Sequence, residues 1–145
     1  MTDPAPKQPS PHHTTEAATA QAGTQGLPIW YELMTPDPAA VAPFYRAVLG
    51  WDAGNAMPMG DKGDYRFVEA GGKALGAINP WMPDWMPVSW LPYFGVADID
   101  AARSAAEAEG ATIRHDIHQV PGGDFIFTCT DPAGAPLGVV GKRGA

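Results

Sequence analysis

The feature that most constrains this chain is that it repeats itself. Leu33, Thr35, Asp37 and Ala40 match Phe94, Val96, Asp98 and Ala101 at an offset of 61 residues. Asp64-Tyr65-Arg66-Phe67 matches Asp124-Phe125-Ile126-Phe127 at 60, and Leu75-Gly76-Ala77-Ile78 matches Leu137-Gly138-Val139-Val140 at 62. Three matches in one order, at a nearly constant offset, predict a duplicated supersecondary unit. A unit of that length buries its apolar face best against a second unit, so the repeat already narrows the fold.

Local signals fill in the unit. Ile29 to Met34 reads as a strand. Asp37 then stands as an N-cap and Pro38 at the first helical position. Val41, Phe44, Tyr45, Val48 and Leu49 form one apolar helical stripe, ended by Gly50. Pro43 falls inside that helix, which predicts a kink or a later start. Strands follow near 51–57, 64–70 and 73–79. The second copy reads as a strand at Tyr93 to Val96, an N-cap at Asp98, and an Ala-rich helix over 99–109 ended by Gly110. Strands near 111–119, 124–130 and 135–140 complete it. Gly71-Gly72 and Gly122-Gly123 are hairpin turns, and Asp131-Pro132-Ala133-Gly134 has the chemistry of a type I turn. The fold class is therefore α+β, with two tandem βαβββ modules forming a curved mixed sheet around a cleft. Module one covers 27–79, a linker 80–88, and module two 89–142.

Composition excludes several functions. At 145 residues the chain holds one domain's worth of core, and 45% hydrophobic residues is a globular figure. No apolar run approaches a membrane span. Nine Lys plus Arg against sixteen Asp plus Glu leave a net charge of −7, with no basic stripe. Nucleic acid and anionic membrane are excluded as partners on that ground. The single Cys removes any intrachain disulfide framework. The start shows no basic segment followed by an apolar one, which predicts a cytoplasmic protein. Residues 1–26 are Pro-, Thr- and Ala-rich without aromatics and read as a disordered extension. His12 and His13 lie there, without the rigid third ligand that a metal site needs.

The strings Trp30-Tyr31-Glu32-Leu33-Met34-Thr35-Pro36-Asp37, Phe44-Tyr45 and Leu49-Gly50-Trp51 resemble the glyoxalase / bleomycin-resistance / extradiol dioxygenase (vicinal oxygen chelate) superfamily. So do Val96-Ala97-Asp98-Ile99-Asp100-Ala101, Glu109-Gly110-Ala111, Pro121-Gly122-Gly123-Asp124-Phe125 and Asp131-Pro132-Ala133-Gly134-Ala135. The resemblance covers about residues 27–142 and is nearest to a hydroxylase-like branch whose first strand reads Trp-x-Glu-Leu. It implies the glyoxalase-like fold. It also implies one divalent metal, held by side chains from the first and last strands of each unit. The family's ligand positions fall on Trp30, Gly76, Leu91 and Gly138, none of which carries a donor side chain. No cofactor is therefore expected, with a divalent metal on other ligands left open.

Strand alternation places Glu32 and Met34 on the cleft face with Trp30, and Tyr93 on the face of Leu91. Glu32 is the one carboxylate expected in the cleft. Its functional reading is an acid/base or a hydrogen-bond acceptor, and its plain reading is a sheet glutamate paired with a donor. His115 and His118, three apart on a strand, should point to opposite faces, His115 packed and His118 solvated. Cys129 is in register with Phe125 and Phe127 and reads as buried filler. The linker repeats Trp-Met-Pro at Trp81 and Trp85. It reads as packed on its own domain or on a dimer partner, or as a lid contacting an apolar ligand.

The leading expectation is a metal-free binder of a small, largely apolar molecule, lined by Trp30, Glu32, Met34, Tyr93, and Trp81 or Trp85. Sequestration of a drug or metabolite is a special case. Two other readings stand beside it: a metal-dependent lyase, isomerase or dioxygenase with other ligands, and a structural or regulatory module that acts by dimerising. A homodimer is the expected partner, although the single pair of repeats also permits a monomer with one cleft.

Overall fold

The computed structural model describes residues 25–144. They divide into two compact units, residues 31–91 and residues 25–30 with 92–144. The repeat read in the sequence is present as a repeat of structure.

In the first unit the elements run β1 (Pro28–Met34, whose first three residues belong to the second unit), α1 (Pro38–Leu49), β2 (Ala56–Pro58), a 3-10 turn (Gly60–Lys62), β3 (Asp64–Ala70) and β4 (Lys73–Asn79). The strands lie in the order β2-β3-β4-β1, with β1 parallel to β4 and the other pairs antiparallel. Gly71 and Gly72 both take positive φ, which closes β3 onto β4 in a two-residue hairpin. Leu33, Val68 and Ile78 form the buried core, packed against Val41, Ala42, Tyr45 and Trp51.

The second unit runs β5 (Ser89–Val96, whose first three residues belong to the first unit), α2 (Ile99–Ala108), β6 (Thr112–Gln119), β7 (Phe125–Thr130) and β8 (Pro136–Gly141). Its order is β5-β8-β7-β6, again with the first and last strands parallel. Ile99, Phe127, Cys129 and Val139 make its core. Burial pushes the Cys129 thiol above its ordinary range, with the nearby Asp131 charge adding to it, so this cysteine is filler. Both N-caps are as expected: Asp37 accepts from Ala40 N and Asp98 from Ala101 N. Asp131 Oδ1 accepts from Ala133 N and Ala135 N, which fixes the expected turn.

Several expectations are corrected. Gln25 and Gly26, assigned to the extension, join the second unit: Gly26 N donates to Gly95 O at 2.7 Å and Ala97 N to Gln25 Oε1 at 2.7 Å. His12 and His13 lie outside the described residues. Helix α1 starts at Pro38 and continues through Pro43, so there is no later start. Its apolar stripe is only half used. Burial centres on Pro38, Val41, Ala42 and Tyr45, which leaves Phe44, Val48 and Leu49 exposed. β2 is three residues long, because Asp52 Oδ1 accepts from Gly54 N and bends the chain after a single bridge to Glu69.

His115 and His118 do not point apart. Register shifts on either side of His115 break the alternation of β6, and the two rings stack with centroids 4.0 Å apart. Their burial is also reversed, with His115 exposed and His118 half-buried.

Candidate functional site

The first unit carries one buried carboxylate in a hydrogen-bonded constellation. Trp30, Glu32 and Met34 are buried at alternate positions of β1. Register sets the row beside Glu32: Ala77 of β4, then Phe67 of β3. Two steps along the same face stand Tyr65 and Asn79. Glu32 Oε2 accepts from Tyr65 Oη at 2.5 Å, and Oε1 accepts from Asn79 Nδ2 at 3.2 Å. The phenol contact has the length of a charge-assisted O–H···O⁻ bond. Asn79 is itself oriented, because its Oδ1 accepts from Trp81 N at 2.9 Å. Tyr65 meets the Phe67 ring edge-on at 5.0 Å.

Glu32 is 7% exposed. A carboxylate so far from water must be satisfied by partners, and here a phenol and an amide from two other elements hold its two oxygens apart. The result is a fixed acceptor on an apolar wall of Met34, Phe67 and Ala77. Such a group can accept a hydrogen bond from a ligand, or take and return a proton within reach.

The first unit thus brings together Glu32 and Met34, and ties Trp81 to them through Asn79. Trp85 is half-buried further along the linker, whose deepest residue is Met86. Trp30 and Tyr93 fall in the second unit. Sequence reasoning missed Tyr65, Phe67 and Asn79. Alternation along β3 could have paired Tyr65 with Phe67 on one face, but nothing local marks which face meets Glu32.

The four positions of the family's metal can be tested for fit. Trp30 and Leu91 are each 2% exposed and apolar. A Cβ at Gly76 would stand 1.7 Å from Tyr31 O, inside the neighbouring backbone. A Cβ at Gly138 would stand 2.3 Å from Tyr93 Cδ2, because the Tyr93 ring covers its paired glycine across β5 and β8. The volume a ligand side chain needs is filled by phenol. Among the described residues no three His, Cys, Asp or Glu cluster as a metal would require. These residues do not fit the metal.

A second unusual carboxylate is Asp124, fully buried after the Gly122-Gly123 turn. Its nearest cation is Lys142, with Nζ 3.3 Å from Oδ1. Burial raises its pKa above the usual carboxylate value, and Lys142 opposes that only in part.

The sequence model described as the Glyoxalase/Bleomycin resistance protein/Dioxygenase superfamily matches residues 28–139. A Mycobacterium bovis protein named as a glyoxylase, CFP32, is 30% identical over 118 residues, which cover 79% of this chain and 45% of that protein. The anthracycline biosynthesis protein DnrV of Streptomyces peucetius is 31% identical over 128 residues, covering 79% and 46%. The chain thus spans about half the length of these curated relatives. A Streptomyces coelicolor methylmalonyl-CoA epimerase structure superposes with a TM-score of 0.57 at 19% identity, over 83% of this chain and 99% of that one. At that identity the likeness establishes the fold.

Proposed function

This chain belongs to the Glyoxalase/Bleomycin resistance protein/Dioxygenase superfamily, and from that premise we propose that it binds a small, largely apolar molecule without the family's divalent metal. The observation that carries the reading is Glu32, buried on an apolar face and held by Tyr65 and Asn79. Small-molecule sites have this composition, a mostly apolar wall with a few fixed polar groups that orient the ligand. The filled positions at Gly76 and Gly138 support the metal-free part. Met34 and the linker methionines suit a permissive wall. On this reading Trp81, whose backbone N–H is bonded to Asn79, is the linker residue that contacts the ligand. Sequestration of a drug or metabolite is the simplest role for such a binder.

Two of the curated relatives are named for anthracycline biosynthesis, so a polycyclic aromatic is the ligand class to try first. The test is titration of an anthracycline, followed by tryptophan fluorescence and by thermal melting. Saturable quenching with a raised Tm is expected, because a ligand that binds only the folded state stabilises it. Glu32→Gln should weaken binding by about tenfold or more while the protein stays folded, as the loss of a charge-assisted bond is worth about 1.5–3 kcal/mol. Equal binding by Glu32→Gln, or no saturable binding across a panel of apolar aromatics, overturns the reading.

A further inference from the structure

The apolar wall that carries Glu32 runs on to a further carboxylate, Glu69. Alternation along β3 sets Tyr65, Phe67 and Glu69 on one face, opposite to Val68, which packs with Val41 and Tyr45 of α1. The register shift between Val68 and Glu69 leaves its extra residue, Leu75, in β4, so the alternation of β3 is intact. Leu75 packs in the same core as Val68, which keeps that side of the sheet apolar. Phe67 stands in the row of Glu32, with Ala77 between them. Strand rise and strand spacing then put Glu69 about 7 Å along β3 from Phe67 and about 12 Å from Glu32.

The two carboxylates are treated differently. Glu32 has both oxygens bonded, to Tyr65 and Asn79. Glu69 is half-buried, and its Oε2 is sealed from solvent with no hydrogen-bond partner among the described residues. Its neighbours do not supply one. Across the ladder stands Asp52, itself an acid, whose Oδ1 accepts from Gly54 N. Arg66 and Lys73 alternate onto the opposite face, where Arg66 Nη1 donates to Ala53 O at 3.3 Å.

A carboxylate drawn partly out of water without a donor is costly, whereas the same group met by a cation makes a strong contact. Glu69 is still reached from its open side, and its charge is shared by both oxygens, so an ammonium arriving there offsets the deficit at Oε2. A neutral apolar ligand would leave that deficit in place. Resting on the binding proposed above, we propose that the ligand of the Glu32 wall is a cation. Its apolar, aromatic body lies on Met34, Phe67 and Ala77, and a protonated alkylamine about 12 Å from Glu32 pairs with Glu69. The net charge of −7 draws any cation toward the chain, but only Glu69 selects where the amine sits.

A matched pair of ligands tests this: a tricyclic aromatic bearing a primary alkylamine, and its N-acetyl derivative, which keeps an N–H and loses the charge. Tryptophan fluorescence follows both at one ionic strength. Wild type should bind the amine about tenfold or more tightly than the amide. Glu69→Gln should abolish that preference and leave amide binding unchanged. Asp61→Asn, which removes the same charge from the exposed 3-10 turn, should keep the preference. Without ligand, Glu69→Gln should melt no lower than wild type, because it relieves an unpaired charge; a clearly lower Tm would show that the fold itself pairs Glu69 and overturn the proposal. Equal binding of amine and amide, a preference that survives Glu69→Gln, or one lost equally in Asp61→Asn overturns the amine while binding at Glu32 stands. Saturable binding of neither ligand overturns both.

Discussion

Tyr65 donates to Glu32 across 33 residues of sequence, joining β3 to β1 through a 2.5 Å bond that holds the one carboxylate of the candidate site. Removing one partner leaves a buried charge short of a donor, which costs more than the bond itself contributes. Tyr65→Phe is predicted to lower unfolding stability by about 1.5–3 kcal/mol at neutral pH. A double-mutant cycle with Glu32→Gln in urea should return a coupling of about 0.5–3 kcal/mol. Additive effects would mean that the pair does not act as a unit.

Gly138 is roofed by Tyr93. Gly138→Ala is predicted to cost about 1–3 kcal/mol through overpacking, because the added Cβ meets the ring at 2.3 Å. The cost should shrink in a Tyr93→Ala background, where the ring is gone. At Gly76 the obstacle is backbone, so no side-chain truncation should rescue Gly76→Ala. Chemical denaturation of the single and double variants reads both.

Asp124 should make the fold prefer acid. Its folded-state pKa is raised above the unfolded value of 3.8, chiefly by burial, so its protonated form stabilises below that value and this contribution is lost as pH rises through the folded pKa. Asp124→Asn should therefore gain on wild type as pH rises from about 3 to about 7. A wild-type advantage that grows over that range would show instead that the Lys142 pair dominates.

His115 works in the opposite direction. Partial desolvation of the otherwise exposed ring lowers its pKa, the neighbouring His118 adds to this, and Asp116 opposes. A depressed folded pKa gives stability that is present above the unfolded value near 6.5 and lost as pH falls through it and then through the folded pKa. His115→Gln should flatten that part of the stability profile. An unchanged slope between about pH 5 and about 7 would contradict the assignment.

Much of the fold was legible because its signals are local. Asp37 and Asp98 cap helices with their own side chains, Gly71-Gly72 closes a hairpin by positive φ, and alternation put Trp30, Glu32 and Met34 on one face of β1, where all three are buried. Family membership followed from the strings around those caps. Illegible were features set by register between distant strands. Tyr65 and Asn79 reach Glu32 only because β3, β4 and β1 align as they do. The same blindness hid the β6 irregularity that stacks His115 on His118, and the orientation of α1 that leaves Phe44 and Val48 outside. Periodicity finds a stripe, but only packing says which part of it is covered.

The central claim is binding without the family's metal, and elemental analysis of chelator-free protein tests it most directly. Tryptophan fluorescence should be followed in the same preparation while Zn²⁺, Ni²⁺, Mn²⁺ or Fe²⁺ is added. With Trp30, Gly76, Leu91 and Gly138 at the ligand positions, the predicted result is far less than one metal per chain and no saturable response. About one tightly held metal per chain, lost on Glu32→Ala, would contradict the account and place a metal-assisted reaction at that carboxylate.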